Sequence, residues 1–240
     1  VSGRRGLEVL VPCDDGAVHA FSDAGEHLWS FQTEASCSSG PLVGPLSPTD
    51  EPVALFGSDD GRLYCVDGGG AERWRFYAGE PVDASLSVCD LDGNGGLEIV
   101  FSDTEQFLFC LSSEGKELWR AAVGGADSNP AIGDIDGDGE PEVLVGSSIG
   151  VLHCLGAGGK MEWGYRRPVK IASSPALADL EGDSMVEMVC SFRDGLVTCL
   201  QGGVACGVGC WPMRRGSVAG TGASGSFPTI PMALVAPRRP

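Results

Sequence analysis

Three carboxylates spaced two apart, Asp134, Asp136 and Asp138, stand in the stretch Asp134-Ile135-Asp136-Gly137-Asp138-Gly139-Glu140-Pro141-Glu142. Alternating oxygens of this kind converge only if the backbone coils tightly. Gly137 and Gly139 permit that coiling because they carry no Cβ. The carbonyl of Glu140 and the carboxylate of Glu142 would complete an all-oxygen shell, the ligand set that the hard cation Ca²⁺ prefers. The chemistry expected here is ion binding.

An EF-hand loop begins with the same acidic pattern, but it needs an acid at its twelfth position and a helix on each side. Position twelve is Val145, inside the strand-like run Val143-Leu144-Val145, so that reading fails. The stretch recurs instead within a repeat. Asp90, Asp92, Asn94, Gly96 and Glu98 hold the five ligand positions 44 residues earlier. Asp179, Glu181, Asp183, Met185 and Glu187 hold them 45 residues later. Glu181 replaces the second Asp and Ser184 a turning glycine, so the loops rank 134–142, then 90–98, then 179–187. Two to three structural Ca²⁺ ions are expected.

The elements that must position these loops follow from the same period. Trp29, Trp74, Trp119 and Trp163 are spaced 45, 45 and 44 residues apart. Each stands four residues after a glycine and nine after a small residue: Ala20, Cys65, Cys110 or Cys154. Runs rich in β-formers lie upstream, such as Val53-Ala54-Leu55-Phe56 and Glu98-Ile99-Val100-Phe101. One unit reads strand, acidic bend, strand, turn, strand, glycine turn, strand. Four short strands in about 45 residues is the size of a propeller blade.

The fold expected is therefore an all-β propeller of four-stranded blades, about five of them, as a fragment of a larger ring or a trimmed mature form. The units run approximately 1–44, 45–89, 90–133, 134–178 and 179–224, with a closing or sixth-blade strand at 225–231 and a flexible tail at 232–240. Unit two has Pro45, Ser47 and Thr49 at the acidic positions, so no ion is expected there. The repeated Trp is expected to pack between blades. The four repeat cysteines, Cys199 being the last, are expected at a small buried strand site, too far apart to bridge. The pairing of Cys206 and Cys210 stays open.

Lys and Arg total 16 against 33 Asp and Glu, a net charge of −17. That balance argues against binding a nucleic-acid backbone. No apolar run approaches the length of a membrane span, and the chain opens without an initiator Met or a signal peptide. Arg166, Arg167 and Lys170 make one basic loop on an acidic protein, a candidate contact for an acidic glycan or protein partner. The histidines occupy strand and turn positions of the repeat, and no nucleophilic or paired-carboxylate arrangement can be argued from spacing.

The acidic loops with their following strands (GDIDGDGEPEVLVG, CDLDGNGGLEIVFS, ADLEGDSMVEMVC) resemble FG-GAP or VCBS-type repeats. The segments ending in Trp, with Gly209-Cys210-Trp211-Pro212-Met213, resemble quinoprotein-like (PQQ-type) propeller repeats. The resemblance implies a propeller whose calcium ions lock the hairpin between a blade's first two strands, with partners on the other face. Three functions compete. The first is a non-enzymatic calcium-stabilised binding module in a secreted, periplasmic or cell-surface setting. A PQQ-type quinoprotein dehydrogenase is the second, but such enzymes carry adjacent cysteines, which this chain lacks. The third is a polysaccharide lyase on a calcium propeller, whose basic catalytic cluster cannot be located. The sequence favours the first.

Overall fold

A computed structural model describes residues 8–83, 86–105, 107–125, 128–180 and 186–201. Every regular element among them is a β-strand. Blade one contains β1 (Glu8–Pro12), β2 (Ala17–Ser22) and β3 (His27–Gln32). Blade two contains β4 (Leu42–Gly44), β5 (Val53–Gly57), β6 (Arg62–Val66) and β7 (Glu72–Tyr77). Blade three contains β8 (Ser87–Cys89), β9 (Glu98–Ser102), β10 (Phe107–Leu111) and β11 (Glu117–Ala122). Blade four contains β12 (Ala131–Gly133), β13 (Glu142–Gly146), β14 (Val151–Leu155) and β15 (Met161–Arg166). Blade five contributes β16 (Ala176–Ala178), β17 (Glu187–Ser191) and β18 (Val197–Gln201). Each sheet is antiparallel with its strands in chain order. This is a β-propeller architecture.

The sheets are offset from the sequence units: the short strand before each acidic bend pairs with the strand after it, as in Ser87↔Val100 and Ala131↔Leu144. A blade such as 42–77 is therefore cut in two by a unit boundary at 45. The segments around Cys206, Cys210 and 209–216, the strand expected at 225–231 and the tail at 232–240 lie outside the described residues, as do Glu181, Asp183 and Met185.

Hydrophobic burial happens between blades rather than within them. Leu55 and Leu63 of blade two share one core with Ile99, Phe101 and Phe109 of blade three. Val100 and Leu108 of blade three share another with Val143, Val145 and Leu155 of blade four. Both faces of a central blade are thereby covered, which explains why β5, β9 and β13 are buried at every residue. Cys65, Cys110 and Cys154 are fully buried at the expected small site, whereas Cys199 in the outermost described strand is only half-buried, and none of the eight described cysteines forms a disulfide.

The repeated Trp is a bolt between neighbours. Trp29 Nε1 donates to the Gly68 carbonyl (3.1 Å), Trp74 Nε1 to Ser113 (3.1 Å) and Trp119 Nε1 to Ala157 (2.8 Å), each in the next blade. The indole lies against the next blade's turn glycine. Gly70, Gly115 and Gly159 there have φ of 82°, 77° and 75°, and a Cβ on Gly70 would come within 2.7 Å of the Trp29 ring. Both the backbone conformation and the close approach demand glycine.

Candidate metal centres

Eight residues connect the first and second strands of blades two to four (45–52, 90–97 and 134–141), and the bends lie on the face that also carries the glycine turns. In the best loop, Asp134 accepts from the amides of Gly137 (Oδ1, 2.7 Å) and Gly139 (Oδ2, 3.0 Å). Asp136 Oδ1 accepts from Asp138 (3.1 Å), and Asp138 Oδ1 from Glu140 (2.8 Å). Glu142 opens β13 and reaches back, Oε2 accepting from Ile135 N–H at 2.7 Å. Gly137 and Gly139 take φ of 82° and 92°, as the coiling requires. Asp134, Asp136 and Glu142 each bring one carboxylate oxygen within 4.8 Å of the others, whereas Asp138 stands outside that trio.

Loop 90–98 repeats the design with one difference. Asp90, Asp92 and Glu98 bring oxygens within the same 4.8 Å. Asp90 Oδ2 accepts from Gly95 (2.9 Å) and Glu98 Oε2 from Leu91 (2.7 Å). Asn94 turns its amide nitrogen onto Asp92 Oδ2 (2.8 Å), while its oxygen accepts from Gly96 (2.7 Å). Asp90 Oδ1 is buried and has no hydrogen-bond partner among the described residues. In the third loop, Leu180 N–H donates to Glu187 Oε2 at 2.6 Å.

Ca²⁺–O bonds of about 2.3–2.6 Å allow ligand oxygens to lie up to about 5 Å apart across the ion. Both trios satisfy that geometry, and their all-oxygen chemistry suits a hard cation. Electrostatics favour one as well. Burial pushes the Glu142 carboxyl up to about 7, with Asp136, Glu162 and Asp138 adding like-charge repulsion against the lowering effect of the Ile135 amide. Glu98 is raised for the same leading reason.

Glu162 was not foreseen as part of this neighbourhood. It is the extra residue in the β-bulge where β15 loses register with β14 (Cys154↔Trp163, then Leu155↔Met161). The bulge aims it back toward the acidic bend, and burial with the nearby Asp136 and Asp138 raises its carboxyl. Leu28, Arg73 and Leu118 hold the same bulge position in blades one to three, so only the break in that series signalled it.

The basic loop is partly committed to structure. Arg167 Nη2 bonds Asp194 Oδ2 at 3.0 Å, and its guanidinium lies 4.8 Å from the Phe192 ring centre. Arg166 is exposed and Lys170 half-buried. The blade-to-blade connections form the face opposite the acidic bends. Between blades two and three that face has an open cleft of about 460 Å³ lined by Glu80, Asp103, Glu105, Phe107 and Arg120 among others. Arg120 is stacked over Phe107 and Phe109 and paired with Glu117. The sequence points to the blade connection 76–84, which supplies Ala78, Gly79 and Glu80, but not to Asp103, Glu105, Phe107 and Arg120 across from it.

Comparison with known proteins agrees with the architecture. A family model of the lambda-carrageenase beta-propeller domain matches residues 99–173, and one described as outer membrane protein assembly factor BamB (PQQ_2) matches residues 14–132. The chain matches no curated protein. Among solved structures it is similar to BamB from Moraxella catarrhalis (19% identity, TM-score 0.61, covering 80% of this chain and 54% of that one). It is also similar to the V. cholerae biofilm matrix protein Bap1 (19%, 0.64, 83% and 35%). BBS1N in complex with ARL6DN gives a third likeness (15%, 0.56, 80% and 60%). The chain thus spans between about a third and three-fifths of the length of these structures. At such identities the likeness carries the fold.

Proposed function

We propose that this chain is part of a non-enzymatic interaction module, an FG-GAP/VCBS-like propeller that calcium stabilises from one face while the opposite face receives a protein or glycan. Asp134, Asp136 and Glu142 would hold one ion and Asp90, Asp92 and Glu98 another, with the Glu140 and Gly96 carbonyls completing the shells. A third ion in loop 179–187 remains part of the proposal through Asp179 and Glu187.

One observation carries the reading. Glu98, Glu142 and Glu187 are 4%, 3% and 0% exposed, at the position where blade two has Val53, 1% exposed. The fold accepts an apolar residue there, so a buried acid is a net cost unless something compensates its charge. A divalent cation supplies that compensation. Binding to the native state alone then adds RT ln(1 + [L]/Kd) to stability. Thermal melts of the chain after EDTA treatment, repeated with added Ca²⁺, test it: overlapping curves would remove the ion sites.

The partner is assigned to the face of blade connections, where the Arg120 cleft and Arg166 lie. The match to a lambda-carrageenase propeller domain favours a glycan, and the match to an assembly factor favours a protein. The matches to an outer membrane protein assembly factor support a setting outside the cytosol. Quinone-dependent dye reduction by the purified chain would instead favour a dehydrogenase.

A further inference from the structure

Blade one assembles a second kind of ligand set on the face of the blade connections. β1 ends at Pro12, and the chain turns through Cys13, Asp14, Asp15 and Gly16 into β2. The turn is closed by Gly16 N–H donating to the Cys13 carbonyl (3.2 Å) and Cys13 N–H to Ala17 (3.0 Å). Asp15 Oδ1 accepts from the Ala17 amide at 3.0 Å, which leaves Oδ2 facing His19 Nε2 at 3.1 Å. His19 first and then the Cys13 thiol hold the Asp15 carboxyl below its ordinary value. One ligand atom from each of Cys13, Asp15 and His19 lies within 4.8 Å of the other two.

The imidazole is oriented from behind. Ser30 Oγ lies 2.8 Å from His19 Nδ1 and 2.7 Å from His27 Nε2. Nδ1 is thus engaged and Nε2 is presented to Asp15 and Cys13, the arrangement in which a metal-bound histidine is normally held by a partner on its other nitrogen.

The trio is not a feature of the repeat. Its positions hold Ser58, Asp60 and Tyr64 in blade two, and Asp103, Glu105 and Phe109 in blade three. They hold Ser147, Ile149 and His153 in blade four, and Phe192, Asp194 and Thr198 in blade five. Tyr64 Oη donates to Asp60 at 2.7 Å, so a carboxylate bracing the third strand is shared with blade two. Thiol, carboxylate and imidazole together occur in blade one alone among the described blades.

We infer that Cys13, Asp15 and His19 form a binding site for a divalent transition-metal ion of the zinc class. A thiolate and an imidazole suit such a borderline ion and not Ca²⁺. Three protein ligands leave the fourth tetrahedral position to water or to a group from a partner docked on this face. Tetrahedral bonds of about 2.0–2.3 Å place ligand atoms about 3.3–3.8 Å apart, so the trio must contract by no more than about 1.5 Å. On binding, the Cys13 sulfur exchanges its proton for the metal, and that proton leaves to solvent.

The test uses the full chain, reduced and metal-stripped, in saturating Ca²⁺ so that oxygen-only sites are filled. Titration with Co²⁺ is expected to develop a thiolate-to-cobalt charge-transfer band that saturates at one equivalent and is discharged by one equivalent of Zn²⁺. Cys13→Ser should abolish the band. Asp15→Asn and His19→Gln should weaken Co²⁺ binding by more than tenfold, and Ser30→Ala by about tenfold. Circular dichroism of each metal-free variant checks that it folds, and Cys13→Ala stands in should the serine variant fail. No band in the parent chain, a band that survives loss of the Cys13 thiol, or unchanged affinity in the Asp15 and His19 variants would each overturn the site. The readout is a sulfur signal, independent of the calcium melts.

Discussion

Blade two and blades three and four make the same bend from different chemistry. In all three, eight residues join strands paired in the same register: Gly44↔Val53, Cys89↔Glu98 and Gly133↔Glu142. A buried aliphatic anchors each bend one residue in, namely Leu46, Leu91 and Ile135. Blade two closes its bend with an ordinary turn, Asp50 N–H donating to the Ser47 carbonyl at 3.1 Å. Blades three and four wrap theirs around carboxylates and bury a Glu where blade two buries Val53. The hairpin is therefore a property of the blade, and the acids are an addition to it.

The sharpest way to break this comparison is to put the acid where the ligands are missing. Val53→Glu leaves a buried charge without compensation and should cost about 3–5 kcal/mol in urea denaturation, with no rescue by Ca²⁺. Next in size is the ion itself. At 100-fold excess over Kd one site should add about 2.7 kcal/mol, a rise of about 5–10 °C in Tm by calorimetry. The reverse exchange, Glu142→Val, should make the calcium-free chain about 1–3 kcal/mol more stable while removing part of the calcium response.

The pH dependence follows with a definite sign. Glu142 is raised from 4.5 to about 7 in the folded chain. A raised acid stabilises the fold fully below its unfolded value, and that contribution is lost as pH climbs through the folded one. Calcium-free stability attributable to Glu142 should thus fall between about pH 4.5 and 7. The calcium increment should grow over the same range, and both trends should shrink in Glu142→Val to the part carried by the raised Glu98, as melts across pH would record. The smallest effect is expected from Asn94→Asp, which adds a charged ligand to loop 90–98. It should tighten Ca²⁺ binding a few-fold by isothermal titration, since affinity in such loops is tuned by ligand charge count.

Much of the fold was legible because it repeats. The Trp period located the inter-blade contact, and the Ala20/Cys65/Cys110/Cys154 series located a site with no room for a larger side chain. Strand order followed from short connections. What escaped prediction is what departs from the repeat or joins distant residues. Glu162 faces the acidic bend because a bulge re-aims it, a direction that a period of two cannot supply. Arg167 looked like a free surface cation, but its partner Asp194 is 27 residues on, in the next blade. The Arg120 cleft is made by residues from two blades and has no local signature. Cys13, Asp15 and His19 occur once, so no period draws attention to them.

The tryptophan bolts give the chain a direction in time as well as in space. Trp29 finds its acceptor 39 residues later, at Gly68, and Trp74 finds its own 39 residues later, at Ser113. A ribosome adding about 5–20 residues per second takes roughly 2–8 s to deliver such a stretch. Each indole accordingly emerges before its clasp exists, and every newly finished module latches the one made before it. Assembly of this kind runs like a zip from the amino end, and a glycine-to-alanine change at Gly70 or Gly115 would stall it at one identifiable tooth.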